Sequence, residues 1–275
     1  MRVKDILVAL STRDQNDPGR DYAITMAAHH QAHVTAVAYS LVPESPFSVY
    51  PQFVSGLLHE FRAEAEQAAT AARKRFQHAA RSGEVEHSFE QASCPLLNAV
   101  SDFTSRLRTA DIAILTQHKS GEVERFGDVF LEAALFHSGR PVLVVPRGYE
   151  APFSVERVLI AWDASVHATR AVAAAIPFLV GTTSLRILTV QEPSKGSDFR
   201  ESALVQHFRR HDLQPDLAQR SDRDVPEAIL REVESFRATL LVMGGYGHSR
   251  FREFVFGGAT RLMLKKMAAP VLLAH

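Results

Sequence analysis

The sequence lacks the features that mark secreted and membrane-spanning proteins. It has one cysteine, Cys94, so no disulfide can form within the chain and we expect a reducing compartment. No apolar run approaches the ~18 residues that a membrane span requires. The apolar run near the N-terminus is also too short for a signal peptide. We therefore expect a cytoplasmic protein with no membrane partner.

The chain also has no excess of charge of either sign. Its 31 basic residues balance its 31 acidic residues, so no overall field favours nucleic acid or an anionic membrane, and we expect neither as a partner. The hydrophobic content of 46% is that of a globular protein. A chain of 275 residues can hold one large domain or two of ordinary size.

Sequence motifs of catalysis are absent as well. There is no P-loop, no GxSxG nucleophile elbow and no HExxH zinc motif, and no pattern indicates a Ser-His-Asp triad. His207 and His211 stand four apart on a predicted helix, a spacing that could suit a metal. Since no third ligand lies near them in the sequence, we expect neither a catalytic residue nor a metal site.

What the chain does have is an internal repeat. Each half begins and ends with an apolar run, and a third run precedes its last predicted helix. The predicted strands are Ile6–Leu10, Val34–Tyr39, Val85–Gln91, Ile112–Leu115 and Val142–Val145, then Val158–Trp162, Leu185–Val190, Leu213–Gln219, Leu240–Met243 and Val271–Leu273. The predicted helices are Arg20–Gln31, Ser55–Ala80, Pro95–Arg108 and Val129–His137, then Ser165–Leu179, Phe199–His211, Pro226–Phe236 and Ala259–Met267. With a linker over Arg147–Val155, the sequence predicts domains 1–147 and 155–275.

The alternation of strands and helices predicts the fold class. Buried strands rich in Val, Ile and Leu that alternate with helices favour an α/β fold with parallel sheets covered on both faces. For each half we expect a doubly wound, Rossmann-like sheet of five strands in the order 3-2-1-4-5. Such sheets bind ligands at the carboxyl ends of the strands where the winding reverses. In the second half those ends carry Asp163 and Gly244, so the two should meet at one site.

The stretch from Leu240 to Thr260 contains most of the glycines that could contact a ligand. A buried strand ends at Gly244-Gly245, Gly247 follows, and Gly257-Gly258 precedes a helical pattern. Glycines let backbone N–H groups approach a ligand closely, and a helix start adds the positive end of its dipole. The pattern indicates either a phosphate cradle or a plain tight turn.

The spacing Gly244-x-x-Gly247, nine residues and then Gly257 resembles the nucleotide loop of the universal stress protein family, in its ATP-binding branch. The resemblance covers nearly the whole chain as two tandem copies. It implies that Asp163 hydrogen-bonds the ribose or the adenine edge, although an Asp in that place could instead cap the next helix. The implied nucleotide-binding residues are Ala161, Trp162, Asp163, Val190, Met243, Gly244, Tyr246, Gly247, His248, Ser249, Arg250, Gly257, Gly258 and Ala259.

Within that set the residues have different expected roles. Ala161, Trp162 and Val190 would surround the base. Met243, Gly244, Tyr246 and Gly247 would lie along the ribose and phosphates, and Gly257, Gly258 and Ala259 would offer N–H groups. His248, Ser249 and Arg250 are either side-chain partners of the same anion or part of a solvated loop. The chain departs from the family at Gly258, where a Ser or Thr usually follows the last glycine.

The first half departs further from the family pattern. Ser11 stands where the family has its aspartate. The residues from Thr116 to Gly121 lack the paired glycines, and Gly127 lies out of register. We expect the first domain to keep the fold with a degenerate nucleotide site.

The resemblance implies a stress-response module that binds ATP or another adenine nucleotide, with or without Mg²⁺, and that is regulatory rather than strongly catalytic. Two alternatives stay open: a nucleotide-independent interaction scaffold for an unknown protein partner, and a slow ATPase or adenylating enzyme. Because Val142–Val145 and Val271–Leu273 are apolar edge strands that need covering, we expect them to pair within the chain as a pseudo-dimer. A homodimer of whole chains also stays open.

Overall fold

The computed structural model describes residues 3–12, 14–42, 51–118, 124–191, 201–245 and 258–275. The elements of the first half are β1 Asp5–Ala9, α1 Pro18–His30, β2 His33–Leu41, α2 Pro51–Ser82, β3 His87–Cys94, α3 Leu96–Leu107, β4 Ile112–Thr116, α4 Glu124–His137 and β5 Val142–Val145. Those of the second half are β6 Arg157–Ala161, α5 Val166–Ala175, β7 Ser184–Gln191, α6 Glu201–Arg209, β8 Pro215–Ser221, α7 Val225–Phe236, β9 Leu240–Gly244, α8 Gly258–Lys266 and β10 Val271–Ala274, with a short 3-10 turn at Ile176–Phe178. In the part of the chain thus described, no helix has the length and apolar character needed to cross a bilayer.

The chain divides into two compact units. The N-terminal unit consists of Lys4–Arg140 with Glu150–Pro152. The C-terminal unit consists of Phe153–His275 together with Met1–Val3 and Pro141–Tyr149, and so it includes β5. Compactness therefore assigns a strand of the first sequence half to the C-terminal unit. The domain boundary expected between residues 147 and 155 stays a prediction, because a strand can be packed against one domain and belong to another by descent.

The sheet of the N-terminal unit has the order β3-β2-β1-β4, and its strands run parallel. The central strand β1 is buried at Ile6, Leu7 and Val8, as expected for a strand covered on both faces. Helix α1 follows β1 and begins with Asp17 as its N-cap and a proline in its first turn. These elements bring the residues after β1 and β4 to the same edge of the sheet.

The sheet of the C-terminal unit has the order β5-β10-β9-β6-β7-β8. Counted from β6, its five parallel strands follow the order 3-2-1-4-5, which confirms the expected doubly wound α/β topology. Strand β5 pairs antiparallel with β10, with Leu143 opposite Leu272. The predicted pairing of the two last strands is therefore confirmed. It covers the edge of β10 that a five-stranded sheet would leave open.

The winding of this sheet reverses between β6 and β9, which are neighbours. Ala161 at the end of β6 lies opposite Met243 of β9 in the register. Because both strands run in the same direction, the residues that follow them leave the sheet at the same edge. This edge is where an open α/β sheet binds its ligands.

Candidate functional site

The segment after β6 lies at this edge of the sheet. The backbone N–H of Trp162 donates to Leu188 O on β7 at 2.9 Å, so the chain continues along the sheet for one residue beyond β6. Asp163 follows and is exposed. Val190, the predicted lining residue of β7, is half-buried two positions beyond Leu188. The structure thus places Ala161, Trp162, Asp163 and Val190 at one edge of the sheet, and their contact with a nucleotide stays a prediction.

Asp163 shapes the turn into α5 but is not the cap of that helix. Its Oδ1 accepts a hydrogen bond from Ser165 N at 3.0 Å. Ser165 itself caps the helix, because its Oγ accepts from Ala168 N at 3.1 Å. Between them, Ala164 has a left-handed backbone with φ of 59°. The alternative role of Asp163 as the helix cap is therefore wrong, and its carboxylate stands in an exposed turn at the predicted crevice.

The end of β9 lies unusually close to α5. A Cβ added to Gly244 would lie 2.7 Å from Ala168 N and 2.8 Å from the carbonyl carbon of His167. Both of these atoms belong to the backbone of the first turn of α5, so no side-chain rearrangement could make room. Gly244 is therefore required by the close packing of strand and helix, whatever else it does. The sequence pattern by itself indicates only a ligand contact for this glycine.

The next residue, Gly245, is held by hydrogen bonds to β10 and to His275, the residue that follows β10. Gly245 N donates to Ala274 O at 2.9 Å. His275 Nδ1 lies 3.1 Å from Gly245 O. The ring of His275 stacks on that of His167, with ring centroids 4.2 Å apart and an interplanar angle of 27°. Sequence reasoning missed both histidines, because no local pattern connects α5 with the end of β10.

The remaining predicted site residues fall in and around the loop between β9 and α8. Helix α8 begins at Gly258, so Gly258 and Ala259 stand in its first turn. Thr260, the hydroxyl two places beyond the last glycine pair, is buried with 4% of its surface exposed. Tyr246, Gly247, His248, Ser249, Arg250 and Gly257 lie outside the described residues.

The equivalent edge of the N-terminal unit contains a buried carboxylate. Asp17 is 2% exposed, and its Oδ2 accepts from Ser11 N at 2.8 Å. Its Oδ1 accepts from Thr116 Oγ1 at 2.7 Å, and Thr116 Oγ1 accepts in turn from Gly19 N at 2.9 Å. This network joins the ends of β1 and β4 to the start of α1. The Asp17 and Thr116 side chains thus bond to each other and to the N–H groups of Ser11 and Gly19 at the N-terminal winding reversal.

A second contact lies close by in the N-terminal unit. A Cβ added to Gly127 of α4 would lie 1.7 Å from Cδ2 of His118, so the imidazole ring is packed directly against that glycine. His118 follows β4, as Gly245 and the next residues follow β9. Because Gly127 has no side chain, the ring of His118 occupies the space beside it.

Burial raises the pKa of the Asp17 carboxyl above its ordinary value, and the hydrogen bonds from Thr116, Ser11 and Arg20 offset only part of that rise. A raised folded-state pKa means that the folded unit holds this proton more tightly than the unfolded chain does. The contribution of Asp17 to stability is thus complete below the unfolded value near 3.8 and is lost as the pH rises through the folded pKa.

We therefore expect the thermal midpoint of the N-terminal unit, relative to that of Asp17→Asn, to fall as the pH rises from about 4 toward neutrality. The asparagine side chain does not titrate, so this variant is the reference for the pH dependence. Because its amide N–H₂ faces hydrogen-bond donors at every pH, the slope of the midpoint difference against pH is informative and the absolute difference is not. Calorimetry across the pH series measures it. Parallel pH profiles for the two proteins, or a relative midpoint that rises with pH, would contradict a raised pKa of Asp17 in the folded unit.

Two other candidates from the sequence carry less chemistry. His207 and His211 are exposed on and after α6, with ring centroids 4.9 Å apart. Within the described ranges, no group of three or more His, Cys, Asp and Glu side chains could hold a metal ion. Cys94 is half-buried at the end of β3, and burial together with the Asp102 carboxylate raises the pKa of its thiol. The thiol is therefore protonated at neutral pH and is a poor nucleophile.

Part of the sequence is similar to a known protein family. The sequence model of the universal stress protein family matches residues 218–275. A universal stress protein of Synechocystis sp. is 29% identical over 175 residues, which cover 59% of this chain and 58% of that protein. The chain thus matches less than two thirds of the length of this curated relative.

Solved structures extend the likeness to the whole chain. A universal stress protein from Archaeoglobus fulgidus superposes with a TM-score of 0.72 at 15% identity, covering 100% of this chain and 99% of that one. A functionally unknown protein from Pseudomonas aeruginosa superposes with a TM-score of 0.60 at 14% identity, covering 99% and 92%. At these identities the superpositions establish the fold. The similarity in sequence to the universal stress protein family is that of residues 218–275 and of the 175 residues shared with the Synechocystis protein.

Proposed function

We propose that the C-terminal unit binds an adenine nucleotide, with ATP as the first candidate, at the carboxyl edge of β6 and β9. The observation that supports this most directly is the arrangement at the winding reversal. Ala161 and Met243 lie opposite each other, Asp163 follows one strand, and Gly244-Gly245 ends the other. An acceptor side chain and a glycine turn are thus presented together where doubly wound sheets take ligands.

The proposed roles follow from the chemistry of each group. The Asp163 carboxylate accepts hydrogen bonds from the ribose hydroxyls or the adenine edge, while Ala161, Trp162 and Val190 surround the base. Backbone N–H groups of the glycine loop and of the first turn of α8, which begins at Gly258, bind the phosphates with the help of the helix dipole. A Mg²⁺ ion bound with ATP would neutralise part of the phosphate charge.

The proposed module is regulatory rather than strongly catalytic. Hydrolysis of ATP needs a group that orients the attacking water or stabilises charge on the transferred phosphoryl. His248 and Arg250 are the side chains that could assist it, and slow turnover is compatible with binding. We propose that nucleotide occupancy, in the cytoplasm, controls the association of the chain with a protein partner or with a second copy.

For the N-terminal unit we propose a degenerate site. The buried Asp17 network and the packing of His118 against Gly127 support this proposal, because both place protein groups at the edge that a nucleotide would use. We therefore expect one nucleotide per chain.

A second candidate function is an interaction scaffold that works without nucleotide. Gly258 favours it, since the family usually supplies a hydroxyl at that place and this chain supplies none. The backbone donors do not depend on that hydroxyl, so we place nucleotide binding first.

Replacing Asp163 by asparagine is expected to weaken ATP binding at least tenfold, the loss typical of a hydrogen bond to a charged acceptor. Asparagine keeps an oxygen for Ser165 N, so the turn into α5 is preserved. Isothermal titration of ATP with Mg²⁺ into the nucleotide-free protein measures the change. The matched control is Asp212→Asn, which removes an exposed carboxylate in the turn after α6.

The first step of that experiment is to purify the protein without added nucleotide, denature it and analyse the supernatant for adenine compounds. Wild type should bind close to one ATP per chain, and Asp212→Asn should match it. Two ATP per chain would disprove the degenerate N-terminal site. No binding at millimolar ATP would reject the nucleotide proposal and favour the scaffold.

A further inference from the structure

Two histidines from distant parts of the sequence meet at the Gly244-Gly245 turn. His167 lies in the first turn of α5, directly after the segment that leaves β6, and His275 follows β10. Since β6, β9 and β10 are parallel, both residues stand at the same edge as the turn. Their rings stack with centroids 4.2 Å apart.

The contact between His275 and the turn has a defined chemical direction. A carbonyl oxygen only accepts, so Nδ1 of His275 donates its proton to Gly245 O across the 3.1 Å contact. Nδ1 can carry this proton in the neutral ring and always carries it in the imidazolium ion. The hydrogen bond therefore does not require a change of protonation state.

The turn is consequently held from three directions. Gly245 N donates to Ala274 O at 2.9 Å, and Gly245 O accepts from His275. Gly244 packs against the backbone of His167, whose ring supports the ring of His275. A pair of glycines is otherwise the most costly dipeptide to order, because glycine loses the most backbone freedom. The contacts remove that freedom before any ligand arrives.

We propose that His275, supported by His167, positions the Gly244-Gly245 turn and thereby sets the affinity of the nucleotide site. This inference rests on the proposed function of the same site. A ligand loop whose entry residue is already fixed pays less ordering entropy on binding, so its affinity is higher. His167 and His275 are thus positioning residues that act through the peptide of Gly245.

The same geometry speaks against shared metal binding by this pair. Imidazole nitrogens bind metals along lone pairs in the plane of the ring. With an interplanar angle of 27° and stacked faces, the lone pairs of the two rings run side by side and do not converge on one point.

A series of substitutions at His275 separates positioning from general stability. His275→Ala removes the donor and the stacked ring. His275→Asn keeps an amide N–H₂ at the place of Nδ1, whereas His275→Gln moves the amide toward the place of Nε2. His167→Phe keeps a stacked ring without a titrating group, and His207→Ala on α6 is the matched control for loss of an exposed histidine.

Two readouts are measured on folded protein: the Kd for ATP with Mg²⁺, and hydrogen exchange of the Gly245 amide. We expect His275→Ala to raise the Kd and to speed the exchange by about tenfold each, the effect of one hydrogen bond. His275→Asn should recover most of both losses and His275→Gln should not. His167→Phe and His207→Ala should stay within about twofold of wild type in both readouts, an amount well below one hydrogen bond.

Wild-type Kd and exchange rates in His275→Ala would overturn the inference while leaving the proposed function intact. Equal losses in the Ala, Asn and Gln variants would overturn it as well, since a merely structural role would not distinguish the position of the donor. If wild type binds no ATP, the proposed function fails, and so does the proposal that the position of the turn sets the affinity for the nucleotide. In that case the exchange of Gly245 still tests whether the histidines hold the turn.

Discussion

Replacement of Glu232 by alanine is expected to destabilise the C-terminal unit by about 3 kcal/mol. Glu232 is a carboxylate of α7 with only 3% of its surface exposed. Its Oε1 accepts from Arg186 on β7 at 3.0 Å, and its Oε2 accepts from Arg220 on β8 at 2.7 Å. One buried carboxylate thus pairs with two arginines and joins a helix to two strands.

The magnitude follows from what the alanine variant leaves behind. Breaking a buried ion pair by removing one partner costs about 3–5 kcal/mol, because the other charge stays buried without compensation. The arginine side chains are 28% and 50% exposed, so water screens part of that loss and the lower end of the range applies. Arg186 cannot swing out freely, since its guanidinium lies over the ring of Phe236 at 4.3 Å.

Urea unfolding of the full chain, followed through the transition of the C-terminal unit, measures this loss. The matched control is Glu234→Ala, which removes an exposed carboxylate from the same helix and should change the unfolding free energy by less than about 0.5 kcal/mol. Glu232→Gln keeps the shape and one acceptor oxygen and should fall between the two. Equal stabilities of Glu232→Ala and Glu234→Ala would show that the two arginines are solvated without their partner.

Much of the fold follows from the sequence because the strands are buried on both faces. Runs such as Ile112–Leu115 and Leu240–Met243 are apolar without interruption, and their alternation with helices leaves little choice of topology. The pairing of β5 with β10 is predictable for the same reason. An apolar strand with an open edge must be covered, and β5 covers β10.

The ends of the elements were harder to predict. Helix α2 begins at Pro51 rather than at Ser55, and α4 begins at Glu124 rather than at Val129. Proline is tolerated in the first turn of a helix, because the N–H that it lacks has no intrahelical partner there. A proline therefore predicts a boundary less reliably when it could stand at the helix start.

The polar contacts of the sites could not be predicted at all. Asp17 with Thr116, Glu232 with Arg186, and His167 with His275 are each far apart in sequence, and each pair meets only because the sheet order and the helix packing bring distant segments together. A single sequence contains the period of its strands and helices. It contains no signal for which polar side chains of neighbouring strands meet.

At the winding reversal a strand and a helix approach each other closely in both units, and the units differ in which of the two elements carries the glycine. In the C-terminal unit the glycine is on the strand, at Gly244, and the helix has Ala168. In the N-terminal unit the strand has Thr116 and the glycine is on the helix, where a Cβ added to Gly19 would lie 2.5 Å from Thr116 Oγ1. Each unit thus has a glycine at this point, and in the C-terminal unit that glycine is the last residue of the strand.

Replacement of Gly244 by alanine is therefore expected to destabilise the C-terminal unit by about 2–3 kcal/mol, near the upper end for overpacking. The added Cβ would lie 2.7 Å from Ala168 N and 2.8 Å from the carbonyl carbon of His167, both backbone atoms, so α5 must move away from β9 as a whole. Thermal and urea unfolding measure the loss. The matched control is Gly83→Ala, whose Cβ would meet the side-chain atom Cγ2 of Ile24 at 2.9 Å and no backbone atom closer than 3.5 Å, so it should cost less than Gly244→Ala.

Addition of Ala168→Gly to Gly244→Ala should not restore stability, because the atoms in the way belong to the peptide backbone and remain in the glycine variant. Full recovery in that double variant would show that the contact is between side chains and that the close approach has been misjudged. The shift of α5 also moves the turn that presents Asp163, so folded Gly244→Ala should bind ATP more weakly than wild type if the proposed site is correct. An affinity unchanged in the folded variant would separate the glycine's packing role from nucleotide binding and would leave Gly244 as a purely structural residue.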